Sequence, residues 1–372
     1  MQRLDLRVSA TRARSVPIHV GPGALHTLVR DLAFLSPGGR VAVVSDSNVG
    51  PRYGEPLCEE MRAEGLAAFL ITFPAGEASK TRETKSRLEE SLFEQGADRQ
   101  TTVVALGGGV TGDLAGFVAA TWHRGVPFVQ APTSLLAMVD AAVGGKTAVN
   151  LPGGKNLVGS FHQPVGVYAD LSALATLGPE DLAAGFGEAV KTAVVADGAL
   201  FQRLEADVPS LVRGEPDALL GVIVSCIRVK ARIVARDERE SGRRAILNFG
   251  HTVAHALEAT SGSRLAHGPA VSVGMVVESR LAARLTGFPV RHVRRLRSLL
   301  DRFGLPTTAP AGLSTDEVLR AIERDKKVRD GALRFSLPAR IGRMPSGKDV
   351  THAVEADLVR AVVEEAKTST AR

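Results

Sequence analysis

Val103-Val104-Ala105-Leu106-Gly107-Gly108-Gly109-Val110-Thr111-Gly112-Asp113-Leu114-Ala115-Gly116-Phe117-Val118-Ala119-Ala120 is the stretch on which the fold turns. Its first four residues form an apolar run that reads as a buried strand, the glycines break that run, and Leu114 onward has helical spacing. Strand, glycine turn and helix in that order leave bare backbone N–H groups and the positive end of a helix facing one loop, which suits an anion. The chain runs on to Asp140, a loop Gly144-Gly145-Lys146, and a second loop Pro152-Gly153-Gly154-Lys155-Asn156. Two cations on permissive backbone are thereby added, and the segment reads as built to hold phosphates.

Outward from this stretch, Arg40–Asp46, Ala67–Phe73, Pro127–Gln130 and Gly166–Asp170 read as further strands, and Ser79–Gln95 as a helix among them. Such alternation predicts a mostly parallel sheet with helices on both faces. Ligands of these sheets sit beyond the carboxyl ends of the strands, where Asp46 and the glycine loop both fall. After residue 178 the strand signal fades. Pro179–Val195, Asp217–Arg236, Asn248–Thr260, Val271–Leu285 and Arg291–Phe303 look helical, and Ser314-Thr315-Asp316-Glu317 offers a capping box for one more helix. The expected architecture is an N-terminal α/β domain (1–178) with a mostly parallel, Rossmann-like sheet. A mainly α-helical C-terminal domain (179–372) follows, with an active site in the cleft between them.

At 372 residues with 44% hydrophobic and 23% charged residues, the chain has the composition of a soluble enzyme. Aromatic residues are only 4%, too few for a platform that stacks nucleic-acid bases. The net charge of +6 and pI near 9.6 come from scattered basic residues, which favours small anions over nucleic acid as partners. The densest basic run, Arg291–Arg302, has apolar residues at helical intervals and reads as a solvated helix face. Cys58 and Cys226 stand far apart, so neither a disulfide framework nor a cysteine zinc site is expected, and a reducing cytoplasm fits. No apolar run approaches the ~18 residues of a membrane span, and the first residues lack a secretory pattern.

Three patterns carry chemistry. Gly107-x-Gly109-x-x-Gly112 matches the dinucleotide fingerprint between strand and helix, but the usual acidic residue about 20 positions on is absent and the nearest candidate is Asp46. The loop alone leaves nucleotide, another phosphate or a plain tight turn open. His251 and His255, four apart, share a helix face; His267 follows beside a glycine, and Glu188 puts a carboxylate on an apolar helix. Histidines plus one carboxylate form the ligand set of a catalytic zinc, and spacing does not say which histidine stays outside it. Finally, Lys146, Lys155, Lys191, Lys230, Arg243, Arg244, Lys326 and Lys327 supply cations. Lys191 and Lys230 lie inside apolar helices, where an unpaired charge is costly. The set suggests a substrate with more than one negative charge.

GGGVTGDLAGFVAATWHRG (107–125), PTSLLAMVDAAVGGKTAVNLPGGKN (132–156), the helix around GEAVK and DERESGRRAILNFGHTVAHALE (237–258) resemble 3-dehydroquinate synthases, within the sugar-phosphate cyclases. The resemblance implies that Glu188, His251 and His267 bind a divalent metal, zinc or alternatively cobalt, with His255 facing substrate phosphate. It implies NAD contacts for Asp46, Lys80, Gly108, Gly109, Asp113, Thr133, Ser134 and Lys155. It assigns Asp140, Lys146, Asn156, Lys191, Lys230, Arg244, Asn248 and one of Lys326 or Lys327 to the substrate, and gives Arg124 to a neighbouring subunit's site, hence a homodimer. The implied substrate is 3-deoxy-D-arabino-heptulosonate 7-phosphate, a phosphorylated sugar acid. The implied cycle is transient oxidation by NAD, β-elimination of phosphate, re-reduction and intramolecular aldol closure to 3-dehydroquinate, in the shikimate pathway of aromatic amino acid biosynthesis.

The chain departs from the family pattern in places. Pro269 replaces a carboxylate that often follows the last ligand histidine, Gly187 and Thr192 flank the GEAVK helix where alanine and tyrosine are frequent, and Ser134 stands for threonine. These leave an aminodehydroquinate synthase or another sugar-phosphate cyclase as alternatives, and a glycerol-dehydrogenase-like oxidoreductase as a further one.

Overall fold

The computed structural model describes residues 15–36, 38–261, 265–310, 312–324, 328–329, 332–346 and 350–368; Lys326 and Lys327 lie outside them. The first half of the chain contributes β1 (Ile18–Val20), β2 (Arg40–Asp46), β3 (Ala67–Phe73), β4 (Thr102–Gly107), β5 (Phe128–Pro132), β6 (Lys146–Leu151), β7 (Gly154–Phe161) and β8 (Gly166–Ala169). Six of these form one sheet in the order β1-β8-β5-β4-β2-β3, with every neighbouring pair parallel.

The reason lies in β4, whose residues are all buried. A strand apolar on both faces needs cover on both. Val103 and Ala105 enter the core shared with α3 (Arg82–Glu94) and α4 (Gly109–Thr121), and Val104 and Leu106 the core shared with α1 (Ala24–Leu35) and α2 (Glu55–Ala63). The sheet is thus doubly wound and Rossmann-like. Its order reverses between β2 and β4, since the chain leaves β2 for the edge strand β3 and returns to the other side. Asp46 and Gly107, the last residues of β2 and β4, stand at that switch point, where such sheets bind ligands.

The second half is mainly helical: α5 (Pro179–Ala196), α6 (Gly198–Val212), α7 (Pro216–Val234), α8 (His251–Thr260), α9 (His267–Leu285), α10 (Val290–Arg302), α11 (Thr315–Arg324) and α12 (Ala356–Thr368). Helices α5 and α9 are buried on nearly all sides, so they form the centre that the others cover. Ser314 Oγ accepts from the Glu317 amide at 3.3 Å, as a helix cap should.

Four features differ from the sequence expectation. Ile18–Val20 is a strand. Lys146 and the Lys155-Asn156 pair are not in loops but in an antiparallel hairpin of β6 and β7, with the turn at Pro152-Gly153. Val149 of this hairpin joins the core around α4, and that burial holds it as sheet. Helix α6 begins where Asp197 accepts the amides of Ala199 and Leu200. The helical half also carries a small sheet of β9 (Val328–Arg329), β10 (Ala332–Phe335) and β11 (His352–Val354).

Candidate active site

The glycine loop behaves as an anion cradle. Gly108 is extended before α4 begins, and the Gly112 amide already returns to the Gly108 carbonyl at 3.0 Å. A Cβ on Gly112 would lie 2.8 Å from Gln130 Oε1, so a larger residue there would push the Gln130 amide aside. Asp46 Oδ1 accepts the Asn48 and Val49 amides at 2.8 and 3.0 Å, and Oδ2 lies 3.4 Å from Thr111 Oγ1 in the first turn of α4. Thr133 donates its amide to the Gly107 carbonyl, and Ser134 Oγ accepts from Ala137. Gly109 opens α4, and Asp113 lies one turn along it. Lys80 Nζ reaches both Asp113 Oδ2 and Asn156 Oδ1, each at 2.5 Å. Burial raises the Asp113 carboxyl above its ordinary value even with that ammonium beside it. Asn156 itself sits in the left-handed region with φ 55°.

A second cluster forms where α5, α7, α8 and α9 meet the turn Ala137–Ala141. Glu188 and Lys191 face it from α5, Lys230 from α7 and Asp140 from the turn; Lys191 is 2% exposed and Glu188 1%. Lys230 Nζ pairs with Asp140 Oδ1, Lys191 Nζ is 3.6 Å from Asp140 Oδ2, and Lys191 also meets Glu188. Burial alone would raise the Asp140 carboxyl, but Lys191 and Lys230 hold it well below the usual range. Lys191 titrates above its ordinary value because Asp140 and Glu188 outweigh burial, whereas burial wins at Lys230 and loosens its proton.

One ligand atom each from Glu188, His251 and His267 lies within 4.8 Å of the others. His251 Nε2 is 3.4 Å and His267 Nε2 3.3 Å from Glu188 Oε1. The far nitrogens are committed: His251 Nδ1 donates to the Phe249 carbonyl at 3.3 Å and His267 Nδ1 to Glu258 Oε1 at 3.2 Å. In its neutral form a ring held this way turns its Nε2 lone pair toward the carboxylate. Both Glu188 oxygens are buried without hydrogen-bond geometry to any partner, although Lys191 and the two rings are within ion-pair reach. Two imidazoles and a carboxylate converging on one point fit a divalent cation of the zinc type, with oriented outer partners. Burial lowers His251 to about 4; at His267 burial is outweighed by Glu188 and Glu258, which carry the ring up to about 9. The acceptor-rich point thus attracts positive charge. His255 stands outside the trio, edge-on to His251 with ring centroids 5.6 Å apart.

Other site residues lie around this centre. Lys146 Nζ meets Glu240, which also accepts from Asn248 Nδ2 at 2.7 Å. Arg244 is 2% exposed and directs its guanidinium to the Gly144 carbonyl at 3.1 Å and the Glu238 carbonyl at 2.5 Å, bracing the loop before β6. Lys155 Nζ is 3.0 Å from Glu258 Oε1, close to the metal trio as well as to the hairpin's own strand. Arg124 is exposed on the turn after α4, with φ 68°, and is not gathered into either cluster.

Residues 70–184 match the family model described as 3-dehydroquinate synthase N-terminal, and residues 185–328 that described as 3-dehydroquinate synthase C-terminal. The chain belongs to the 3-dehydroquinate synthase family. The 3-dehydroquinate synthase of Symbiobacterium thermophilum is 46% identical over 340 residues, covering 90% of this chain and 94% of that protein. Among solved structures, a 2-epi-5-epi-valiolone synthase from Streptomyces hygroscopicus with NAD+ and Zn2+ bound superposes with a TM-score of 0.86 and 30% identity, covering 96% of this chain and 98% of that one. A 2-deoxy-scyllo-inosose synthase complexed with carbaglucose-6-phosphate, NAD+ and Co2+ gives a TM-score of 0.85 at 29% identity, covering 94% and 96%.

Three carboxylates escaped the sequence reasoning: Glu240 between Lys146 and Asn248, Glu258 behind His267, and Glu278 on α9. For Glu278 a signal existed. It stands within Val276-Val277-Glu278, an apolar run like the one that drew notice to Glu188.

Proposed function

We propose that this chain converts 3-deoxy-D-arabino-heptulosonate 7-phosphate to 3-dehydroquinate and phosphate, as an NAD- and metal-dependent carbon–oxygen lyase. The observation that carries the reading is the Glu188–His251–His267 trio set beside a ring of buried cations, in a chain matched over nine-tenths of its length by a synthase of this activity. Bound NAD+ supplies reversible hydride transfer at a substrate hydroxyl carbon, and a zinc or cobalt ion supplies Lewis acidity at the oxygen.

The chain's own residues do the rest. Asp46, Lys80, Gly108, Gly109, Asp113, Thr133, Ser134 and Lys155 are assigned to the nucleotide. Lys146, Asn156, Arg244 and His255 are assigned to the phosphate. A phosphate there exchanges with Glu240 as the counter-ion of Lys146, so the cation stays compensated before and after binding. Asp140, Lys191, Lys230 and Asn248 orient the sugar hydroxyls and carboxylate. Lys230, paired with Asp140, is held below its ordinary value by burial, which eases release and return of a proton at Nζ. Glu188 is buried at the floor of the trio while His267 stays partly exposed, which leaves the metal position open to substrate.

Three further parts belong to the same proposal. The chain divides at 178/179 into a nucleotide domain and a metal- and substrate-binding domain, it works in the cytoplasm, and it pairs with a second copy whose site receives Arg124. No helix among the described residues is long and apolar enough to cross a membrane. The amino-substrate and polyol-dehydrogenase readings are not favoured, since the matched relatives carry the 3-dehydroquinate synthase name. The test is phosphate release from 3-deoxy-D-arabino-heptulosonate 7-phosphate with catalytic NAD+ and Zn2+, following NADH absorbance. Stoichiometric phosphate without lasting NADH is expected; net NADH accumulation would overturn the reading.

A further inference from the structure

We infer that Glu278 is the positioning residue of the metal centre: its buried carboxylate, reaching from α9, caps the start of α8 and thereby fixes His251 against His267. The inference rests on the metal reading above. Helix α8 starts at His251, and its cap residue Gly250 has a left-handed φ of 82° and no side chain to satisfy the first turn. A buried helix start without a cap leaves amide N–H groups without acceptors, at a cost comparable to lost hydrogen bonds. Glu278 supplies the acceptors. Its Oε2 accepts the Gly250 amide at 2.7 Å, and its Oε1 accepts the amides of Thr252 at 3.0 Å and Val253 at 3.2 Å. These three amides bracket His251 on both sides. A carboxylate also suits the positive end of a helix, and here it is 0% exposed, so solvent screens it little.

The backbone is shaped for this contact. Gly274, one helical turn before Glu278, faces the same junction: a Cβ there would lie 2.0 Å from the Gly250 carbonyl oxygen. A Cβ on Gly250 would lie 2.6 Å from Met275 Cγ. Two glycines therefore let α8 and α9 touch backbone to backbone, and the glutamate one turn on then reaches the α8 amides. One carboxylate thus ties the start of α8 to the body of α9, the helix whose first residue is His267, and the His251 and His267 ring centroids lie 5.5 Å apart. A metal ion is bound tightly when its ligands are held at the spacing it needs, and partners that orient ligands are worth 10–100-fold in affinity by general precedent.

The test is Zn2+ affinity of the full-length protein by chelator competition, for the wild type, Glu278→Gln and Glu278→Asp, with Leu296→Ala as a control. Leu296 is buried on α10, outside this junction, so its variant destabilises the helical half without touching α8. Glu278→Gln keeps the side-chain volume but sets an NH2 donor against an amide N–H. It should weaken Zn2+ binding by about 10–100-fold, whereas Leu296→Ala, with a comparable loss of thermal midpoint, should bind Zn2+ as the wild type does. If Glu278→Gln does not fold, Glu278→Asp carries the same comparison. Zn2+ affinity within threefold of wild type in a folded, destabilised Glu278 variant would overturn the inference and leave Glu278 a structural cap only. Failure of the wild type to bind Zn2+ would instead overturn the metal reading, and this inference with it.

Discussion

Lys155 and Glu258 join the two halves of the chain: the ammonium near the turn of the β6–β7 hairpin ends 3.0 Å from the carboxylate on α8 that also holds His267 Nδ1. The lysine is 42% exposed, so the pair adds little stability of its own. Lys155→Ala should cost under about 1 kcal/mol in denaturant unfolding while weakening NAD binding. Normal NAD affinity in that variant would remove Lys155 from the nucleotide site.

The glycine contact between α8 and α9 makes a stability prediction. Gly274→Ala forces a methyl group against the Gly250 carbonyl, and neither backbone can move without moving a metal ligand. Overpacking of this kind costs about 1–3 kcal/mol, measured as a drop in urea midpoint at unchanged slope. A wild-type midpoint would mean that the helices separate freely and that the junction is not rigid.

Asp237 governs the loop that presents Glu240 and Arg244. Its carboxylate accepts the amides of Arg244, Ser241 and Gly242 and the Ser241 hydroxyl, which lower it to about 2. The folded value lies below the roughly 3.9 of an unfolded aspartate, so its contribution is complete above about pH 4 and fades as pH falls toward 2. Urea midpoints of the wild type should therefore be flat for this group between pH 5 and 7 and decline faster below 4 than those of Asp237→Asn. Parallel acid limbs for the two proteins would refute the assignment.

Arg124 tests the proposed pairing of subunits. Arg124→Ala and Lys146→Ala should each be inactive alone. Mixed under conditions that allow exchange, they should recover up to about a quarter of wild-type activity, because a heterodimer restores one intact site. No recovery despite demonstrated exchange would place Arg124 outside the catalytic machinery.

Much of this fold is legible in the sequence because burial on both faces writes uninterrupted apolar runs, as in Val41-Ala42-Val43-Val44 and Val103-Val104-Ala105-Leu106. What stayed illegible has a physical cause in each case. Ile18–Val20 is three half-buried residues, too short to show a period. Strand β7 is largely exposed and mixes glycine with polar residues, so its partner β6, not its own composition, makes it a strand. Within the site, the sequence names the groups that carry charge or bind metal, but pairing is a property of the folded chain. That Lys146 meets Glu240, or that Glu278 reaches back to Gly250, follows from helix and loop approaches that no local spacing records.

The pairing of β1 has a consequence for the order in which the protein is made. Ile18, His19 and Val20 align with Val167, Tyr168 and Ala169, and β8 in turn leans on β5. During synthesis the first of the described strands to emerge is therefore the last to be seated in the sheet, and until β8 arrives β5 presents an open edge. Nascent chains from which β8 has not yet emerged should carry a sticky sheet margin and depend on chaperones, and emergence of β8 lets the six-stranded sheet close.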